Sequence, residues 1–329
     1  MSSTRTRFGV LLPHFGAHAT WPRLLEAARR AEAYGFDSVW VRDHLIFHPH
    51  GMEGTDRTFL EPFVVLSAVA AVTQRITLGT GSIIPHRHPI YTAQVLSALS
   101  TLSRGRLILG FGAGAFEHEF AAIGMGGLSR WELVREQVAV LRALATGEEV
   151  THDGAHYRFT DVNIRPRPVA EIPVWYCGGT PASTRYAIEY CDGWMPGRIP
   201  YLTYQARVSA LRRMADEHGR PLPTLSAIPI TSPARTREEA LGKVNLAGLL
   251  KNANGQRFWV RPPSGEFRAA DDLAGSFIYG SSDDIVGQVR RYQEIGMDHL
   301  VFDLRFRFDE YAQCLTQLGE EVLPKLAFP

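Results

Sequence analysis

Three cysteines in 329 residues, Cys177, Cys191 and Cys314, exclude a disulfide-built scaffold and suit a reducing compartment. None of them has the spacing of a zinc ligand set. No run approaches the roughly 20 apolar residues that a membrane span needs. A net charge of +1 gives no general attraction to nucleic acid or to an anionic membrane surface. Short repeats and low-complexity tracts are also missing. Met1–Arg7 is short, polar and basic, and the apolar run after it stops at Pro13, so it reads as the approach to a first strand and not as a secretion signal. What remains is the composition of an ordinary cytoplasmic globular protein, 45% hydrophobic and 21% charged.

What is present is alternation. Apolar runs at 8–13, 37–42, 76–84, 106–111, 172–177, 192–195, 224–231 and 299–303 read as strands. Helical spacing falls between them, at about 21–34, 61–73, 90–102, 129–145, 182–190, 201–218, 237–250 and 283–295, with a closing helix at 308–326. The strands are continuous apolar runs, as in parallel sheets covered by helices on the outside. Eight such units predict one domain over 1–329, a closed (β/α)8 barrel. Two stretches break the rhythm: a small hairpin at 147–159 after the fourth helix, and an irregular insertion at 252–277 before the last strand.

In such a barrel, chemistry gathers at the carboxyl ends of the strands. The fourth strand opens into Gly110, Gly112 and Gly114 and then into Glu117, His118 and Glu119, which reads as the edge of a binding site. Gly79-Thr80-Gly81-Ser82 and Gly178-Gly179-Thr180 end two further strands. Thr180 and Ser183 at a helix start offer hydroxyls and amide groups that either hold phosphate or cap the helix. Asp43-His44 ends the second strand and is the candidate acid–base pair, with the carboxylate orienting the imidazole, or else a solvent-facing loop pair. The pairs His48/His50 and His86/His88 have a metal-ligand look but no third ligand at a recognised spacing, so no metal is assigned and they read as surface histidines. Trp175, Trp194 and Phe111 read as core. Arg257, Trp259 and Arg261 of the insertion are candidates for substrate contact or for a plain surface excursion.

The stretches Gly35-Phe-Asp-Ser-Val-Trp40 with Asp43-His44, Arg75-Ile-Thr-Leu-Gly-Thr-Gly81, Gly110-Phe-Gly-Ala-Gly114 with Glu119, Gly178-Gly179, Asp192-Gly-Trp194 and Gly296-Met-Asp-His299 run in order along the chain. Together they resemble the bacterial-luciferase-like family of flavin- and deazaflavin-dependent oxidoreductases. The resemblance implies a barrel holding reduced FMN or the deazaflavin coenzyme F420 at its carboxyl-end mouth. It implies a cis peptide at Gly81–Ser82, His44 as the active-site histidine, and Gly178, Gly179, Thr180 and Ser183 as the cofactor-phosphate loop. It also implies a homodimer, a small-molecule substrate, and a reduced cofactor supplied by a separate reductase. Two positions depart from the pattern. Ala113 stands where luciferase has a phosphate-contacting arginine, and Ala115 where the sugar-phosphate dehydrogenases of the deazaflavin branch have an acid. The expected activity is FMN- and oxygen-dependent monooxygenation, with deazaflavin hydride transfer as the alternative. A metal-dependent barrel hydrolase and a non-catalytic flavin carrier stand further off.

Overall fold

A computed structural model describes residues 5–49 and 54–326. Met1–Thr4 of the basic leader and His50 of the first histidine pair lie outside the described residues. The strands in chain order are β1 (Arg7–Leu11), β2 (Ser38–Val41), β3 (Thr77–Thr80), β4 (Leu107–Phe111), β5 (Val150–Asp153), β6 (Arg158–Val162), β7 (Val174–Cys177), β8 (Gly193–Met195), β9 (Thr224–Ala227), β10 (Ile230–Pro233), β11 (Phe277–Gly280) and β12 (His299–Phe302). Eight of them close a parallel barrel in the order β1-β12-β9-β8-β7-β4-β3-β2. The (β/α)8 expectation therefore holds, and β5 and β6 form the expected antiparallel hairpin outside it.

Two tryptophans fill the barrel's interior. The rings of Trp40 and Trp175 lie 5.3 Å apart. Their bulk is accommodated by glycine on the adjacent strand: a Cβ on Gly79 would come within 2.5 Å of the Trp40 ring, and one on Gly193 within 2.4 Å of Trp175. His299 Nε2 bonds Ser38 Oγ at 2.7 Å, and that oxygen also accepts from Trp40 Nε1 at 2.7 Å. This polar link crosses the apolar layer, and the other ring nitrogen, His299 Nδ1, is buried with no hydrogen-bond partner among the described residues.

Helix α1 (Trp21–Ala33) leads from β1 to β2. Then come α2 (Pro62–Val72), α3 (Pro89–Ser103), α4 (Glu117–Ala121), α5 (Arg130–Ala145), α6 (Pro181–Tyr190) and α7 (Tyr201–His218). Ser129 caps α5 by accepting from Glu132 N, the local signal its sequence carries.

The sequence reading fails between 224 and 280. The expected strand 224–231 splits at Ile228-Pro229, since proline cannot donate to a ladder. β9 stays in the barrel, while β10 rises out of it and pairs in parallel with β11. β11 was read as the end of an irregular stretch. The expected helix 237–250 is two helices, α8 (Arg237–Gly242) and α9 (Leu246–Gly255), broken where Asn245 caps α9 through a bond from Gly248 N. Ile230, Ala240, Leu249, Phe267, Leu273 and Phe277 form a small apolar core of this region, separate from the main one. Helix α10 (Ser282–Ile295) then leads to β12, and the closing helix runs as α11 (Tyr311–Gln317), a π-turn segment and α12 (Leu323–Leu326).

Candidate active site

The ends of β2, β3, β4 and β7 converge on one cavity of about 590 Å3. That is within the usual range for a cofactor or substrate site. Gly81, Ser82, Gly112, Gly114, Gly178, Thr180 and Ser183 all line it, together with Asp43 and His44. The Gly81–Ser82 peptide is cis, where the resemblance places it. Gly112 N and Ile83 N exchange bonds with Ile83 O and Gly110 O at 3.0 and 2.8 Å, which fixes that loop against β4. A Cβ on Gly112 would lie 2.4 Å from Ser82 Oγ and 3.2 Å from Cys177 O, so a side chain there would have to displace Ser82.

Four expected contacts sit elsewhere. Gly79 faces the barrel interior beneath Trp40. Thr80 Oγ1 is buried and both donates to Gly110 O, at 3.0 Å, and accepts from Gly110 N, at 2.9 Å, so it stitches β3 to β4. Gly179 lines a neighbouring chamber. Glu119, read as a cofactor contact, is fully buried behind His44.

The carboxylate that holds His44 is Glu119 and not its chain neighbour Asp43. Asp43, expected to orient His44, accepts from Arg87 at 2.6 and 3.0 Å and from Ile84 N at 2.9 Å. Glu119 Oε1 instead meets His44 Nδ1 at 3.1 Å and accepts from Leu45 N and Ile46 N at 3.0 and 3.1 Å. Burial pushes the Glu119 carboxyl up, but the bond from His44 and the amide of Ile46 outweigh it and leave it below its ordinary value. An ionised carboxylate only accepts, so Nδ1 of His44 carries the proton. On the other side Arg42 Nη2 lies 3.1 Å from Nε2. A guanidinium only donates, so Nε2 presents its lone pair. His44 is thereby set as a neutral imidazole with Nε2 as its basic atom, packed among the rings of Phe47, Phe59 and Phe116.

His86 and His88, read as surface residues, separate. His86 is buried with Nε2 3.6 Å from Asp43, and burial lowers its pKa. His88 caps α3, accepting from Ile90 N. Among the described residues no group of three histidine, cysteine or acidic side chains is placed to hold a metal.

At the far end of the cavity Thr180 and Ser183 form a reciprocal cap on α6: Thr180 Oγ1 accepts from Ser183 N and Ser183 Oγ from Thr180 N, both at 3.2 Å. The capping alternative is thus present, and the partial positive charge of the helix start faces the same cavity. Sequence reasoning missed Arg130 here. Its Nη1 donates to Gly114 O at 3.2 Å, and the residue lines the cavity beside Ser129 and Trp131. In the sequence Arg130 is only the residue after the Ser129 cap of α5, a position that carries no signal for a ligand contact. Arg42 and Arg198, which also line the cavity, gave no signal, because their place depends on strand order.

A bare-backbone wall, a helix start and an arginine at one end fit a flat ring carrying a phosphate. The comparisons agree with that geometry. Residues 6–299 match the model of the luciferase-like monooxygenases. The F420-dependent glucose-6-phosphate dehydrogenase of Nakamurella multipartita is 31% identical over 318 residues, covering 92% of each chain. That of Beutenbergia cavernae is 33% identical over 312 residues, covering 90% of each. An F420-dependent secondary alcohol dehydrogenase, solved with an F420–acetone adduct, superposes with a TM-score of 0.80 at 21% identity over 98% of this chain and 99% of its own, which shows the shared fold. The protein is a barrel oxidoreductase of the flavin and deazaflavin type. It belongs to the luciferase-like monooxygenase family.

Proposed function

We propose that this chain uses coenzyme F420 to move hydride between the deazaflavin and a small-molecule substrate. The observation that carries the reading is identity above 30% with F420-dependent dehydrogenases over about nine-tenths of the chain. It reverses the preference for an FMN monooxygenase that the sequence suggested. When bound, the deazaflavin supplies a two-electron hydride acceptor or donor. The cis-peptide loop, Gly112 and Gly114 would bear on its ring, and Arg130 with the start of α6 would hold its phosphate.

His44 takes the substrate proton at Nε2 when an alcohol is oxidised and returns it in the reverse direction. A substrate hydroxyl reaching that atom replaces the Arg42 contact. Glu119 holds the ring in the productive tautomer and favours the imidazolium that forms, because it already bonds Nδ1. Ala115 leaves no acid where the sugar-phosphate dehydrogenases have one, so the proposal does not extend to glucose 6-phosphate. Titration with F420 and with FMN tests the reading. Binding and oxygen-independent turnover with F420 support it, and oxygen-consuming turnover with FMN alone overturns it.

The proposal includes a cytoplasmic homodimer. Helices α2 and α3 contain no charged residue, yet Val64, Tyr91 and Leu102 on them are 56%, 57% and 48% exposed. A charge-free outer face on two neighbouring helices is suited to burial against its own copy. Tyr91→Asp should convert the dimer to monomer in light scattering. A wild-type monomer at micromolar concentration would refute the dimer. No helix among the described residues is long and apolar enough to cross a membrane.

A further inference from the structure

A second chamber of about 290 Å3 adjoins the cradle and shares Arg42, Thr180 and Arg198 with it. Its lining combines two chemistries. Every charged side chain lining it is a guanidinium: Arg42, Arg198 and Arg305. The buried carboxylate of Asp303 holds two of them in place, accepting from Arg198 Nε at 2.7 Å and Arg305 Nε at 2.8 Å. The apolar part of the lining comes from β10, α9, the insertion and β11, with Ile230, Leu249, Trp259, Leu273 and Phe277, and Thr180, Asn252, Gln256 and Ser276 add polar groups. Phe258, at 55% exposure, completes the lining from the insertion. The insertion is fastened to the cradle by Arg207, which donates to Phe258 O at 2.7 Å and to Gly179 O at 3.2 Å. Val260 N adds a bond to Thr203 Oγ1 at 2.8 Å. Of the two arginines expected to reach the substrate, Arg261 is spent on the carbonyls of Asn254 and Gln256, and Arg257 is exposed outside the lining.

Guanidinium groups only donate, so the ligand's head group must be an acceptor, and a carboxylate matches their planar fork. The apolar lining sets the body. A sugar would have only Thr180, Asn252, Gln256 and Ser276 to pair with its several hydroxyls, and each hydroxyl left buried and unpaired is penalised. An aromatic or branched body instead gains by burying its apolar surface against Trp259 and Phe277.

We propose that this chamber binds a small organic acid, with its carboxylate at the arginines and an apolar body against Trp259 and Phe277. This names a substrate class for the site read above as a deazaflavin oxidoreductase and rests on that reading. It separates the chain from the sugar phosphate in its relatives' names.

Isothermal titration of the full-length protein with 3-phenyllactate, its amide and glucose 6-phosphate tests the assignment. Phenyllactate should bind at least tenfold more tightly than either of the others. Trp259→Ala and Gln256→Glu should each weaken it tenfold or more, the first by removing the wall and the second by placing a carboxylate on the lining. Gln256 lines the chamber, and Gln256→Glu keeps its size and removes only an exposed bond to Asn252 Oδ1, so it decides the matter should Trp259→Ala fail to fold. Tighter binding of glucose 6-phosphate, no binding of phenyllactate, or equal affinity in Gln256→Glu would each overturn the proposal. F420 titrated separately distinguishes the two claims. Cofactor binding without acid binding removes only this inference, and acid binding without cofactor binding removes only the deazaflavin reading.

Discussion

The cradle and the chamber sit side by side on one rim and are built from opposite materials. The cradle is largely backbone: a cis peptide, glycines that leave the wall free of side chains, and a helix start. The chamber is mostly side chains: three guanidinium groups from the barrel rim, with apolar residues from β10, α9, the insertion and β11. Backbone donors tolerate change around them, whereas side chains on an inserted segment change one residue at a time. On the proposed reading, the cofactor half rests on barrel backbone, while the substrate half combines arginines of the barrel rim with apolar residues of the added segment. His44 lines the cradle next to this boundary, held from behind by buried Glu119 and in front by Arg42, which lines both cavities.

The largest expected effect is at that histidine. His44→Ala should lower kcat by about 100- to 10,000-fold, the usual worth of a general acid–base group, while F420 affinity stays within about threefold. A rate within tenfold of wild type would move the proton chemistry to another group.

Next comes acid. Burial lowers His14 to about 4 and His299 to about 3, so the folded barrel holds both imidazoles neutral. Unfolded, both titrate near 6.5. Between pH 6.5 and about 4 the unfolded chain binds protons that the folded one refuses, so stability is full above 6.5 and falls as pH drops through that window. The loss from His14 alone is roughly 3 kcal/mol at the lower end. Segment 230–280, which holds the insertion's small core, contains no histidine and lacks this term. Urea melts that are flat from pH 7 to 4.5 would contradict the burial of both rings.

Gly112→Val sharpens the contrast between the two halves. Its side chain would enter the space of Ser82, and F420 affinity should fall by about 100-fold, with phenyllactate affinity nearly unchanged. Parallel loss of both would mean that the halves are not separable. The smallest effect is Glu119→Gln. It keeps the shape but removes the charge that favours imidazolium, so kcat should fall about tenfold and the pH at which the base titrates should move down, since His44⁺ loses its counter-charge. A pH profile identical to wild type would leave Glu119 a purely structural brace.

Much of the barrel was legible because a parallel strand covered on both sides must be an apolar run, and each helix between strands carries its own cap. Ser129 and Thr180 cap where their sequences say. The rim glycines were legible as a group, but their directions were not. Gly79 and Gly81 are two residues apart, yet one packs under Trp40 in the interior and the other lines the cradle. Between 224 and 280 local signals misled, because β10 and β11 are strands only through pairing with each other across more than 40 intervening residues.

Composition and periodicity alone determined a closed barrel with its helices outside, and placed Asp43-His44 at the end of a strand. Local sequence suffices for these because burial on both faces and helix capping are properties of a few consecutive residues. Which carboxylate holds His44 was decided only by the tertiary structure. Asp43 is its chain neighbour and Glu119 lies 75 positions away, yet Arg87 claims the first and the turn into α4 delivers the second. A hydrogen bond depends on distance and direction in space, and these exist only once the strands have taken their order around the barrel.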